Sequence, residues 1–153
     1  MRSETAKAFS LVEVIIIVMF LGVFAAMAAP RFNFAITSKQ KAESTAKKIA
    51  ASLWRARRLA ISDAVNNPAG YTLNMLGTSP YTGYTIENLG TSTTVDSHTI
   101  DSSVSCTGGD TFTFGPLGNL QAGSDRQLTV SASGKTFMIA VAAATGTVKC
   151  EEN

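Results

Sequence analysis

A chain of 153 residues is long enough for one compact domain and too short for two comfortable ones. Its net charge of +2 is unevenly spread: residues 31–67 carry eight basic and two acidic side chains, residues 68–153 three basic and seven acidic, which points to two surfaces with different neighbours. A single histidine, His98, and two cysteines outside any CxxC pair exclude a structural zinc site, and the absence of a nucleophile elbow, P-loop or dinucleotide fingerprint gives no sign of an enzyme or a cofactor.

The chain opens on a polar segment of both charge signs, Met1 to Ala8. Phe9, Ser10, Leu11, Val12 and Glu13 follow, then an uncharged stretch from Val14 to Pro30. As a helix, Phe9 to Ala29 spans about 30 Å, the thickness of a bilayer's hydrocarbon core. Glu13 is the discordant residue. A carboxylate in an apolar segment is costly unless it finds a partner, which makes it a functional candidate. It also opposes a secretory signal peptide. The small residues Ala25 to Ala29 would suit a signal peptidase, yet a removable segment gains nothing from an acid near its start. Pro30 removes a helical hydrogen bond and bends or loosens the helix there.

Lys7 to Val14, with the apolar run behind them, resemble the N-terminal methylation motif of type IV prepilins and type II secretion pseudopilins. The resemblance implies that a dedicated peptidase cuts between Ala8 and Phe9 and methylates the new amine of Phe9. Glu13 then takes the family's acidic position, and Pro30 falls where many members also carry a proline. One departure is visible: the family usually has glycine before the cut, and here Ala8 stands there, which implies slower processing. In such a chain the freed amine lies at the membrane edge, and Glu13 of an axially staggered neighbour neutralises it. In a low-dielectric helix bundle that pair is favoured over either lone charge, so Glu13 sets register during assembly.

Residues 38–66 read as an amphipathic helix. Ala42, Ala46, Ile49, Leu53, Ala56 and Ala60 recur at spacings of four and three. Trp54, Ile61 and Val65 are expected to widen that stripe toward the core. Lys41, Lys48 and Arg55 lie on one outward line, with Lys47 and Arg58 beside it. Asn66, Asn67 and Pro68 end the helix. Were a nucleic acid bound, Lys48, Arg55 and Arg58 would track its phosphates. No aromatic residues interleave with these cations, so a solvated face packed on acidic neighbours is the favoured reading and nucleic acid is not expected as a partner.

After Gly70, short strands are expected at 71–76, 84–89, 111–114, 128–132, 137–143 and 147–150, separated by Gly, Pro, Ser and Asn clusters. Ser133-Gly134 and Thr145-Gly146 are tight-turn signals, so the last three strands should form an antiparallel meander. Residues 89–109 are polar and poor in pattern and read as coil. His98 is expected to be exposed. Asp96, Asp101 and Asp110 are too loosely spaced for a calcium loop, and no metal site is assigned. Outside the cytoplasm, Cys106 and Cys150 would form one disulfide, worth roughly 4 kcal/mol in the chain-entropy model.

A second resemblance narrows the family. Leu53 to Ile61 resemble the end of the long helix in GspH/FimT-type minor pseudopilins, where a leucine precedes an Ala-Arg pair and then an Ala-Ile pair. Phe114 to Asn119 resemble that family's turn after a middle strand, and Thr145 to Cys150 its closing strand. The acidic Glu151-Glu152 ending departs from the basic tail of DNA-binding relatives. The expected fold class is α+β: a long N-terminal helix, membrane-spanning then amphipathic, packed on a small antiparallel sheet. The expected organisation is a leader over 1–8, an assembly helix over 9–30 and a periplasmic domain over 31–153, its sheet within 71–150. The resemblance implies a structural minor pseudopilin of a type II secretion or type IV pilus machine, single-pass in the inner membrane. Its partners would be other pilins through the N-terminal helix, the prepilin peptidase and methyltransferase, the assembly platform and membrane lipid. A major pilin forming the fibre body, or a DNA-binding minor pilin, are the alternatives.

Overall fold

The computed structural model of the protein describes residues 10–28 and 34–153. Two compact units divide the chain, Met1–Phe34 and Ala35–Asn153. In the first, α1 (Leu11–Ala28) is a helix of 18 residues. Ser10 stands before it, its carbonyl accepting from the amides of Glu13 and Val14 at 3.0 and 3.2 Å. From Ser10 to Ala25 every side chain is exposed, so the apolar residues of α1 form no stripe and cover the helix all round. Among the described residues no helix is long and apolar enough to cross a membrane. At 1.5 Å per residue α1 reaches about 27 Å, a few ångströms short of a hydrocarbon core.

The second unit contains α2 (Phe34–Ser62) from its second residue onward, and eight strands. The strands are β1 (Tyr71–Leu76), β2 (Gly83–Asn88), β3 (Thr93–Thr99), β4 (Ser105–Gly108), β5 (Thr111–Phe114), β6 (Gln127–Ala132), β7 (Lys135–Val141) and β8 (Val148–Glu152). They build two four-stranded sheets, ordered β3-β2-β1-β5 and β4-β6-β7-β8, in which every pair is antiparallel. The expected class, a helix on antiparallel sheet, is observed, with two sheets in place of one.

All six residues of the expected core stripe, Ala42 to Ala60, are fully buried. Four are alanines, which lets the helix backbone come close to the strands. Ile49 and Leu53 supply the bulk and meet Leu73, Ile86, Phe112, Phe114, Leu128 and Ile139 in one hydrophobic cluster drawn from both sheets. Burying such a side chain contributes about 1.5–3 kcal/mol. A buried polar pair, the Ser52 Oγ and the Tyr84 hydroxyl at 3.0 Å, adds a directional link from α2 to β2.

Trp54, Ile61 and Val65 do not join that stripe. They are 44%, 44% and 93% exposed, which corrects the expected wide core face. The sheets cover a narrower arc of α2 than its apolar pattern suggests. The helix also ends at Ser62, before the Asn66-Asn67-Pro68 signal. Asp63, Asn66 and Asn67 instead build the turn into β1. The Asp63 carboxylate accepts from the Tyr71 hydroxyl at 3.0 Å, and the Asn67 amide donates to the Gly70 carbonyl at 2.7 Å.

The meander β6-β7-β8 is present as expected. Its first turn has only Ser133 and Gly134 between the paired residues Ala132 and Lys135. Both have positive φ, 48° and 80°, the twist that a two-residue hairpin requires and that glycine adopts without steric cost. Residues 89–109 hold two strands where coil was expected. In β3 all but one residue is exposed, and in β4 only Cys106 is buried, so neither has the alternation that marks a half-buried strand. Pairing with β2 and with β6 forms them.

Candidate functional site

Two surfaces carry the candidate residues. The first is the start of α1. Glu13 lies in its first turn, where a carboxylate is favoured by the helix dipole, and is exposed among aliphatic neighbours. Ala8, Phe9 and Pro30 lie outside the described residues.

The second surface is the basic face of α2. Much of its charge is answered by carboxylates of the same chain. The Lys41 Nζ is 2.8 Å from Asp101 Oδ2, while the other oxygen of Asp101 accepts from the Ser103 amide at 2.9 Å and hydroxyl at 2.6 Å. These bonds, Lys41's first, hold the Asp101 carboxyl well below the usual range. Arg55 pairs with Asp96 on β3, and the same carboxylate lies 3.3 Å from His98 Nε2. His98 is exposed, as expected, with its ring centroid 5.2 Å from that of Tyr84. Lys47 bonds Glu43 one turn earlier at 2.7 Å; the pairing lowers the Glu43 carboxyl and raises the Lys47 ammonium.

Arg57 acts differently and was not singled out by its charge. Its Nε–H is shared between the Gly118 carbonyl at 3.0 Å and the Thr145 carbonyl at 3.1 Å, and its guanidinium lies 5.5 Å from the Trp54 ring. One side chain therefore ties α2 to the turn after β5 and to the turn before β8. The Ala-Arg pair within Leu53 to Ile61 was the available signal. Of the three residues proposed for nucleic-acid contact, Arg55 is committed to Asp96. Lys48 and Arg58 have no ion pair among the described residues.

The cysteine pairing is corrected. Cys106 on β4 and Cys150 on β8 are free thiols. Their strands form opposite edges of one sheet with β6 and β7 between them, a separation of about 14 Å at the usual strand spacing. A disulfide needs α-carbons within about 7 Å. Cys106 is sealed in the core, where burial pushes its thiol up to about 12. Cys150 is exposed. Among the described residues no group of three or more His, Cys, Asp or Glu side chains could hold a metal ion.

No family model matches the chain, and no curated protein sequence does. Solved structures do. Two crystal forms of the type IV minor pilin FimU from Pseudomonas aeruginosa strain PAO1 superpose with TM-scores of 0.57 and 0.59 at 18% and 19% identity. The matches cover 71% and 76% of this chain and 91% and 92% of the pilin. The protein shares the fold of that pilin.

Proposed function

We propose that the protein is a structural subunit of the type IV pilin class, a minor component of a pilus-like fibre in a type IV pilus or type II secretion machine. The observation that carries this reading is a fold shared over nine-tenths of a minor pilin. It is joined in the sequence to an acid-bearing apolar helix behind a charged leader. Residues 1–8 are removed, Phe9 becomes the methylated N-terminus, and the helix from Phe9 to Pro30 rests in the inner membrane until assembly. The unit from 35 onward stands in the periplasm. Its links between α2 and the strands hold the head rigid while α1 packs with neighbouring subunits, Glu13 answering a neighbour's amine. The subunit is not an enzyme; peptidase, methyltransferase and assembly platform supply the chemistry and the force.

Mass spectrometry of membrane-extracted protein tests the reading. A mature chain beginning at N-methylated Phe9 is expected, and a chain beginning at Pro30 would establish an ordinary signal peptide and overturn it. Abundance in sheared fibres separates a minor subunit, which is scarce there, from a major pilin.

A further inference from the structure

The residues that miss the core gather in one place. Trp54 and Ile61 flank Arg58 on the exposed side of α2 and, with Arg57 and Leu59, line an open groove of about 690 Å³. Gly118, in the turn after β5, abuts the Ile61 side chain, and Leu117 next to it in the sequence is 87% exposed. Isolated apolar residues on a surface are ordinary, but a contiguous set with a fixed aromatic marks a contact site. Trp54 is fixed, since the Arg57 guanidinium above it is anchored to two backbone carbonyls.

The electrostatics narrow the occupant. Three arginines and no carboxylate line the groove. Arg55 and Arg57 are satisfied within the chain, whereas Arg58 has no ion pair among the described residues, nor does Lys48 farther along the helix. Pairing this face with itself in a second copy would set one Arg58 against another. A surface of anionic headgroups over acyl chains meets both halves of the groove. Tryptophan and aliphatic side chains settle at the interface while arginine and lysine reach the phosphates.

We propose that the Trp54–Arg58–Ile61 face of α2 is a docking surface for an anionic phospholipid bilayer, used by the subunit before it enters a fibre. This rests on the reading that α1 sits in a membrane, which tethers the second unit beside a bilayer and raises its effective concentration there. The contact is released when the subunit leaves the membrane, so the lipid competes with assembly.

Trp54 is the protein's single tryptophan and reports the contact directly. The full chain is reconstituted into vesicles of acyl-brominated phosphatidylcholine, with and without phosphatidylglycerol in equal parts. Quenching of Trp54 is expected only with phosphatidylglycerol and should fade at high salt. Arg58→Glu should lower the docking equilibrium about tenfold and Arg58→Lys should largely keep it, with flotation of the chain unchanged in both. A chain that floats with the vesicles while Trp54 stays unquenched, or is quenched equally without phosphatidylglycerol, overturns the proposal. A chain that fails to float overturns the membrane reading beneath it. A Trp54 emission shift produced by duplex DNA, or by raising protein concentration without lipid dependence, assigns the face to nucleic acid or to a second copy and also overturns it.

Discussion

Replacing Arg57 with alanine should destabilise the protein more than replacing Arg55, although only Arg55 has a carboxylate partner. Arg57 loses a charge-assisted bond shared between the Gly118 and Thr145 carbonyls. Such bonds contribute about 1.5–3 kcal/mol, and the partial exposure here favours the lower end. Loss of the guanidinium over Trp54 removes roughly 0.5–1 kcal/mol more. The sum is about 2 kcal/mol. Arg55 forms a half-exposed pair whose carboxylate keeps His98 as a second neighbour, and pairs of that kind contribute about 0–1 kcal/mol. Urea unfolding of the 35–153 unit, followed by Trp54 fluorescence and by circular dichroism, measures both. With a slope of about 1.5 kcal/mol per molar, Arg57→Ala should move the midpoint down by roughly 1.3 M and Arg55→Ala by less than about 0.7 M. A larger loss for Arg55→Ala would show that the ion pair to β3, and not the arginine bridging two turns, holds the helix on the sheets.

Three further outcomes are expected. Alkylation of the native protein should label Cys150 at once and spare Cys106 until the fold opens, since burial hides Cys106 and suppresses its thiolate; an internal disulfide in the oxidised protein would contradict the strand order. Asp101 is depressed below its unfolded value, so its contribution is present above the ordinary aspartate range and is lost as pH falls through the folded value. The protection of the Val104 amide, which donates to the Asp101 carbonyl, should therefore fall in acid once exchange is corrected for its intrinsic pH dependence, and Asp101→Asn should remove that acid dependence. Glu13→Gln should leave the 35–153 unit folded and leader removal intact while abolishing incorporation into fibres; normal incorporation would show that packing of apolar helices sets register without the charge.

What could be read from the sequence followed the strength of each local pattern. The Ala42-to-Ala60 stripe and the alternation of Thr111 to Phe114 report burial directly, and both lie where expected. Ser133-Gly134 fixes a hairpin because few residue pairs accept two positive φ values. β3 has no such signature. Its residues face solvent on both sides, and only the partner strand β2 and two ion pairs to α2, from Asp96 and from Asp101 just beyond it, hold that edge in place. The width of the helix face was legible but misread: at about 100° per residue Trp54 and Ile61 stand about 100–120° from the row centred on Ala42 and Ala60, and Val65 lies past the helix end, so the periodicity itself sets them outside the face that the sheets cover.

The cysteine error has a different origin. Two cysteines in a chain expected outside the cytoplasm invite a bridge, and loop length alone raises no objection. Strand order does. β4 and β8 are both edges of the second sheet, and no local feature of Ser105 to Gly108 or Val148 to Glu152 encodes which strands stand between them.

The charge asymmetry also changes meaning once the chain is folded. A basic helix and an acidic remainder suggested two surfaces with separate external neighbours. In the structure Lys41 and Arg55 spend their charge on Asp101 and Asp96, along the seam between α2 and the β3 edge. The segregation in sequence is thus cancelled in part along that seam. Among the described residues of α2, Lys39, Lys48 and Arg58 have neither an ion pair nor the carbonyl partners of Arg57, and Lys48 and Arg58 lie on its open side. A partner that needs a long cationic track, as a nucleic acid does, finds Lys48 and Arg58 on that face ten residues apart and about 15 Å along its axis. A partner that needs one cation set among apolar side chains finds it at Arg58. The face therefore suits a contact in which apolar burial and the Arg58 charge are both required.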